Sequence, residues 1–139
     1  MVMYDEDRTE EFLTKYRNVA VVGISDKPER PSYDVSSYLV RNGYNVIPIN
    51  PSIESWKGIR AYPDLSSVPP GTSIEIVDIF RKSELVLPVV EEALKLHPEV
   101  IWMQEGVINF EAAELAKKNN VKVVMDRCMK KEHMRLMHR

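Results

Sequence analysis

The segment 23–33 carries the residue types of an anion-binding loop. Gly23 allows a sharp turn and a close approach of a ligand to the backbone. Pro31 lies where a helix is predicted to begin, and the free N–H groups of a first helical turn favour a negative group. The basic and hydroxyl side chains of the segment belong to Lys27, Arg30, Ser25 and Ser32. This pattern predicts a phosphate site, and the alternative is a simple turn at Gly23 with solvated charges around it.

A third cation, Arg81, follows another apolar run. A well-placed charge-assisted hydrogen bond contributes roughly 1.5–3 kcal/mol. Together with Lys27 and Arg30, Arg81 would therefore hold a ligand with a diphosphate and a further phosphate. The alternative for Arg81 is a solvated surface position near Ser83.

The fingerprints of two common nucleotide-binding classes are absent. The G-x-G-x-x-G pattern fails because Ser25 and Pro28, rather than glycines, follow Gly23. The acidic residue that would hold ribose hydroxyls is replaced by Asn50 and Pro51. The P-loop pattern is also missing. These absences argue against a nicotinamide-dependent oxidoreductase and against ATP hydrolysis.

Short apolar, β-branched runs alternate with longer amphipathic ones. Strands are predicted at 19–24, 44–49, 74–80, 100–103 and 121–125, and helices at 6–16, 31–42, 83–96, 109–120 and from 129 onward. A short edge strand or a 3₁₀ turn is predicted within 52–70. Nearly continuous apolar strands indicate burial on both faces. We predict a doubly wound, mostly parallel, Rossmann-like α/β fold of three layers, α/β/α, with its ligand outside the carboxyl ends of the strands.

Length and composition favour a single domain, 1–139, with an N-terminal helix in 1–17 and a C-terminal helix or tail at 129–139. The net charge of −2 gives no overall positive field for nucleic acid. The basic segment 127–139 leaves such an interaction open, although a solvated helix accounts for it better. The single cysteine, Cys128, and the lack of a signal peptide or an apolar run of about 20 residues predict a cytoplasmic protein without a membrane span.

Four titratable residues outside the loop are predicted to be structural or solvated. Asp78 lies within an apolar strand, where a buried carboxylate needs partners. We expect it to orient Arg81 or to accept backbone N–H bonds. His97, His133 and His138 are each expected at the surface, and no catalytic or metal constellation is visible.

Five motifs in order resemble one family. They lie at 21–33, 47–51, 76–81, 102–106 and 124–128 and span nearly the whole chain, from about 18 to 132. Together they resemble the stand-alone CoA-binding domain proteins, the YccU-like group. That group is similar to the CoA-binding domain of the succinyl-CoA synthetase α subunit, which has a Rossmann-type fold.

The resemblance implies a coenzyme A site of fourteen residues. The phosphates would be surrounded by Gly23, Ser25, Lys27, Arg30 and Ser32, and the set also includes Ile24. Asn50 and Pro51 would border the adenosine part, and Ile79, Phe80 and Arg81 would line the end of the third strand. Trp102, Gln104 and Gly106 would flank the pocket farther along. Glu105 departs from the small or apolar residue expected between the last two, and its carboxylate would disfavour an anionic group unless it points to solvent.

The resemblance also limits the function. The phosphohistidine of the synthetase lies in a part of that enzyme that this chain does not have. We therefore expect a non-catalytic module that binds CoA or an acyl-CoA, with a homodimer or another protein partner possible and with no nucleic acid or membrane partner. The alternatives are a nucleotide-dependent oxidoreductase and a CoA-binding subunit of an acyl-CoA ligase. Cys128 would either form a mixed disulfide with the CoA thiol or serve as a half-buried small hydrophobe.

Overall fold

The computed structural model describes residues 2–138. Its strands are β1 (Asn18–Val22), β2 (Asn45–Ile49), β3 (Ser55–Trp56), β4 (Ile59–Arg60), β5 (Ile76–Ile79), β6 (Val100–Met103) and β7 (Lys122–Val124). Its α-helices are α1 (Thr9–Lys15), α2 (Pro31–Arg41), α3 (Val86–Leu94), α4 (Phe110–Lys118) and α5 (Met129–Met137). Short 3₁₀ turns lie at Glu6–Arg8, Leu65–Ser67 and Ser83–Leu85.

Five strands form one parallel sheet in the order β2-β1-β5-β6-β7. The chain passes from β1 to β2 on one side and later returns to β5 on the other side of β1. Strand order therefore reverses between β1 and β5, and a crevice opens at such a point outside the carboxyl ends of the strands. The strands β3 and β4 pair separately as a small antiparallel hairpin.

Helices cover both faces of the sheet. One apolar layer joins α1, α2 and α5 to sheet residues such as Val19 and Val21. The other joins α3 and α4 to residues such as Ala20 and Val22. Since consecutive strand residues point to opposite faces, burial on both sides requires the continuous apolar runs seen in the sequence. The predicted three-layer, Rossmann-like α/β fold is confirmed.

Element boundaries differ from the predicted ones mainly near polar caps. The helix predicted at 83–96 begins as a 3₁₀ turn, and α3 starts only at Val86. Ser83 does not cap that helix, because its Oγ accepts the backbone N–H of Ile108 at 2.9 Å. Asn109 does cap α4, with its side chain accepting from the Ala112 N–H at 2.8 Å.

Both outer strands of the sheet are covered by other backbone segments. Alongside β7, the N–H of Asp5 donates to the Val123 carbonyl at 2.8 Å, and the Asp5 carboxylate accepts the Val123 N–H at 2.9 Å. Alongside β2, the N–H of Tyr62 donates to the carbonyl of Pro48 at 2.9 Å. Pro48 has no N–H of its own to leave unpaired.

One of the three histidines departs from its predicted surface position. His133 is buried in α5, and its Nδ1 lies 2.7 Å from the Tyr38 hydroxyl. Burial lowers the pKa of this imidazole, with a smaller contribution from Arg17. The reason is that α5 packs on α2, so one face of the basic tail belongs to the core. His97 and His138 are exposed as predicted.

Candidate functional site

A cleft of about 720 Å³ lies at the carboxyl ends of β1 and β5, where strand order reverses. Its walls come from the β1–α2 loop, the residues after β2, β5 and β6, and the start of α5. They are Gly23, Ser25, Asp26, Lys27, Arg30, Pro31, Ser32, Val35, Asn50, Ser52, Ile53, Phe80, Arg81, Lys82, Gln104, Glu105, Val107 and Cys128. The residues that follow different strands thus meet around one space.

Gly23 brings the two central strands together at the base of the cleft. Its φ is +87°, a conformation that side chains rarely adopt. A Cβ placed there would lie 2.2 Å from the carbonyl oxygen of Phe80. Its N–H also donates to the Ile49 carbonyl at 2.9 Å. Glycine is therefore required both by conformation and by the close approach of the β5 end.

The β1–α2 loop is held in shape by its own hydroxyl groups. The Oγ of Ser32 accepts the Ser25 N–H at 2.9 Å, and the Oγ of Ser25 accepts the Lys27 N–H at 3.1 Å. Ser32 is buried, so much of its role is to fold the loop. The two serines predicted as phosphate donors therefore also fix the backbone that carries Lys27.

Two side chains from other segments fix the opposite side of this loop. The amide of Asn50 donates to the Ile24 carbonyl at 2.6 Å, and the Trp56 indole N–H donates to the Ser25 carbonyl at 2.9 Å. Trp56 is buried in the β3–β4 hairpin and packs edge-on against Tyr33. The hairpin therefore braces the loop from outside the parallel sheet.

Four cations line one end of the cleft, and we call this group the cationic end: Lys27, Arg30, Arg81 and Lys82. None of the four takes part in an ion pair among residues 2–138. Of the two acids in the lining, Glu105 is paired with Lys131 at 2.8 Å and is 60% exposed. The carboxylate expected to disfavour an anion is thus partly neutralised and in contact with solvent.

Gln104 and Cys128 also line the cleft, and Asp78 is buried behind Gln104. We call these three residues the inner wall. Asp78 in β5 is fully buried, and its Oδ1 accepts the Gln104 Nε2–H at 2.8 Å. Its Oδ2 has no hydrogen-bond partner among residues 2–138. Burial raises the pKa of this carboxyl to about 8, although the bond from Gln104 opposes the shift. Burial therefore favours the neutral form of Asp78.

The predicted partners of Asp78 were wrong. Neither Arg81 nor a backbone N–H binds the carboxyl, and a side-chain amide does so instead. Asp78 and Trp102 are register partners on neighbouring strands, and Gln104, two positions after Trp102, lies on the same face of the sheet as Asp78. That register is a property of the sheet and is not visible in either strand alone.

Cys128 lies at the N-cap position of α5 with its thiol in the cleft wall. Burial raises the pKa of the thiol, and the backbone N–H groups of Lys130 and Lys131 offset part of that increase by donating to the sulfur. A partly buried thiol held in its neutral form is a weak nucleophile. The mixed disulfide with CoA stays a prediction.

Nine of the fourteen predicted site residues line the cleft: Gly23, Ser25, Lys27, Arg30, Ser32, Asn50, Phe80, Arg81 and Gln104. Ile24, Ile79 and Trp102 lie in the core instead, and the Trp102 indole donates to the Arg127 carbonyl at 2.8 Å. Gly106 donates its N–H to the Asp126 carboxylate at 2.7 Å. Pro51 borders an adjoining depression of about 680 Å³, which shares Ile53 with the cleft.

Several lining residues were not in the predicted set. Lys82 follows Arg81 directly, so its position just after β5 was sufficient to predict that it lines the cleft. Val35, Val107 and Ile53 supply apolar surface, and only the packing of α2 and the loops brings them to the cleft. No cluster of His, Cys, Asp or Glu side chains within residues 2–138 has the arrangement of a metal site.

Comparison with known families identifies the family of the chain. Residues 17–134 match the family model described as CoA binding domain. The chain belongs to the CoA-binding domain family. The predicted family is thereby confirmed, and the match includes every strand of the parallel sheet and the whole lining of the cleft.

Members and neighbours of this family differ in size. The chain is 39% identical over 123 residues to the uncharacterized protein YneT of Bacillus subtilis, covering 88% of this chain and 90% of YneT. A hypothetical protein from Pyrococcus horikoshii has a TM-score of 0.90 and 39% identity, covering 95% of this chain and 92% of that one. A dinucleotide-forming acetyl-coenzyme A synthetase from Ca. Korarchaeum cryptofilum has a TM-score of 0.71 and 25% identity, covering 84% of this chain and 27% of the synthetase.

Helices long and apolar enough to cross a bilayer are absent from the described part of this CoA-binding domain protein. The longest of its helices, α2, has eleven residues and a polar outer face.

Proposed function

We propose that this protein binds CoA or an acyl-CoA in the cleft between β1 and β5, as a binding module without catalysis of its own. The observation that carries the proposal is the cationic end, where four side chains face one space without ion-pair partners among the described residues. CoA carries a diphosphate and a 3′-phosphate, which complement such a cluster.

Family membership and the acetyl-coenzyme A synthetase likeness support this ligand over a nicotinamide dinucleotide. The single cysteine is in keeping with a reducing, cytoplasmic setting, which is part of the proposal. We place the phosphates at Lys27, Arg30 and Arg81, and the adenosine near Asn50 and the adjoining depression.

The test is calorimetry on ligand-stripped protein with CoA, dephospho-CoA and NAD. We expect CoA to bind most tightly, because dephospho-CoA lacks one anionic group and NAD lacks the 3′-phosphate. Arg30→Ala should weaken CoA binding by about 10- to 150-fold, the equivalent of one charge-assisted hydrogen bond.

Lys118→Ala, an exposed cation at the end of α4, is the matched control and should bind CoA like the wild type. Binding of NAD in preference to CoA would overturn the proposal. An equal loss of affinity in both variants would show a general charge effect instead of a site at Arg30.

A second function is favoured by one observation. The matching synthetase segment is only about a quarter of that enzyme, so the same domain also exists within a larger acyl-CoA-forming chain. If this protein is the CoA-binding subunit of a ligase, it should co-purify from its own cells with a chain that completes CoA thioester synthesis. Purification without such a partner, from cells in which the protein is not overproduced, would argue against it.

A further inference from the structure

The side chain of Gln104 is held from behind by a residue that the ligand cannot reach. Gln104 follows β6, lines the cleft and is 3% exposed. Its Nε2 donates to Asp78 Oδ1 at 2.8 Å, and Asp78 is entirely enclosed between strands and helices. The amide nitrogen therefore points away from the cleft and into the protein.

The oxygen of the same amide is left available. Among residues 2–138, the hydrogen bond of the Gln104 side chain is the one that its nitrogen donates, and none reaches Oε1. The buried polar atoms that lack partners are Ser36 Oγ and Asp78 Oδ2, so Gln104 Oε1 is not sealed in the core. Since a carboxamide is planar and its two ends differ, fixing the nitrogen inward turns the oxygen end of the amide toward the cleft.

We propose that Asp78 is a positioning residue that holds Gln104 with Oε1 toward the cleft, where this oxygen accepts a hydrogen bond from a secondary amide N–H of the ligand. This inference rests on the proposed function. For CoA, the amides in question are those of the pantetheine arm.

The layout of the cleft agrees with this assignment. The cationic end comes from the β1–α2 loop and the residues after β5, whereas Gln104 follows β6 and Cys128 precedes α5. In CoA the amides come between the diphosphate and the thiol. A ligand with its phosphates at Lys27 and Arg30 therefore passes its amides along Gln104 on the way to Cys128.

The test compares two ligands on the wild type and four variants by calorimetry. CoA has the pantetheine arm, whereas adenosine 3′,5′-bisphosphate lacks it and keeps phosphates and base. Asp78→Ala removes the acceptor that fixes Gln104, and Gln104→Leu removes the amide itself. Asp78→Asn keeps a carbonyl oxygen for Gln104 and serves as the matched control.

We expect Asp78→Ala and Gln104→Leu each to weaken CoA binding by up to about tenfold, the net value of one hydrogen bond. Both variants should bind the bisphosphate like the wild type, and Asp78→Asn should bind both ligands like the wild type. The double variant Asp78→Ala/Gln104→Leu should lose no more than either single one, because both changes act through one bond.

Unchanged CoA affinity in Gln104→Leu would overturn the inference. This measurement does not depend on whether Asp78→Ala folds. Equal losses for CoA and the bisphosphate would also overturn it, since a purely structural change would affect both. If the wild type binds the bisphosphate but not CoA, or neither ligand, the proposed function itself fails. That result differs from one in which CoA binds but its affinity does not depend on Gln104.

Discussion

The cationic end and the inner wall of the cleft differ in the charge of their side chains. At the cationic end, the basic side chains Lys27, Arg30, Arg81 and Lys82 are exposed to solvent and form no ion pairs among the described residues. At the inner wall, burial raises the pKa of Asp78 and of Cys128 and so favours the neutral forms of both.

The difference shows how one cleft can suit an elongated ligand with one charged part. Exposed cations cost little to maintain and attract an anion over a distance. A hydrogen bond to a largely buried neutral group, such as the Gln104 amide, is weakened less by water than one at the surface. A ligand with phosphates at one end and amides and a thiol at the other matches both regions.

Gly23→Ala should have the largest effect, because Gly23 joins the loop of the cationic end to the strand of the inner wall. The new Cβ would lie 2.2 Å from the Phe80 carbonyl oxygen at a φ of +87°. We expect a loss of about 3–5 kcal/mol in the free energy of unfolding, measured by urea denaturation.

Gly43→Ala is the matched control for this change. Gly43 has a φ of +89° but nothing within 4 Å of an added Cβ. We expect a loss of only about 1 kcal/mol from conformation alone. Equal losses in the two variants would mean that the contact between Gly23 and Phe80 does not constrain the cleft.

Asp78→Asn should change how stability depends on pH. Between the unfolded pKa of 3.8 and the folded pKa of about 8, the folded state binds one more proton at Asp78 than the unfolded state. The contribution of Asp78 to stability is therefore fully present below pH 3.8 and is lost as the pH rises toward 8, by about 1.4 kcal/mol per pH unit.

Urea denaturation at several pH values checks this slope. The carboxamide introduced by Asp78→Asn does not titrate, so the difference between wild type and variant should grow in favour of the variant from acid to neutral pH. Asp7→Asn, at an exposed carboxylate, should leave the slope as in the wild type. Parallel stability curves for wild type and Asp78→Asn would show that Asp78 is not held neutral.

Glu105→Gln should have the smallest effect, a slight increase in CoA affinity. Glu105 is the acid between the two ends, and its pairing with Lys131 is exposed to water. We expect CoA to bind at most about threefold more tightly in low salt, and the difference to vanish in about 1 M salt. A larger gain that persists in salt would place the carboxylate against a ligand phosphate.

The sequence was sufficient to predict the fold and to predict that basic residues gather at the cationic end. Apolar runs such as 19–22 reveal strands buried on both faces, and basic residues just after such runs must gather at one edge of a parallel sheet. Asn109 was recognisable as a helix cap because its bond is local, to Ala112. The strands and the helix cap depend on neighbours a few positions away in the chain, and the cationic end depends only on the common direction of parallel strands.

The inner wall could not be predicted in the same way. The bond between Asp78 and Gln104 joins residues 26 positions apart and depends on the register of β5 and β6. The burial of His133 likewise depends on how α5 lies against Tyr38 in α2. Pair contacts of this kind follow from packing, and composition or periodicity does not specify them.

The backbone segments that lie along the two outer strands affect how readily copies of this domain can associate through the edges of their sheets. An open strand offers a row of unsatisfied N–H and C=O groups on which a second molecule can extend the sheet. Here Asp5 occupies part of that row on β7, and Tyr62 occupies part of it on β2 by pairing with Pro48. These contacts close part of each edge to a further strand and so disfavour aggregation of crowded copies by strand addition.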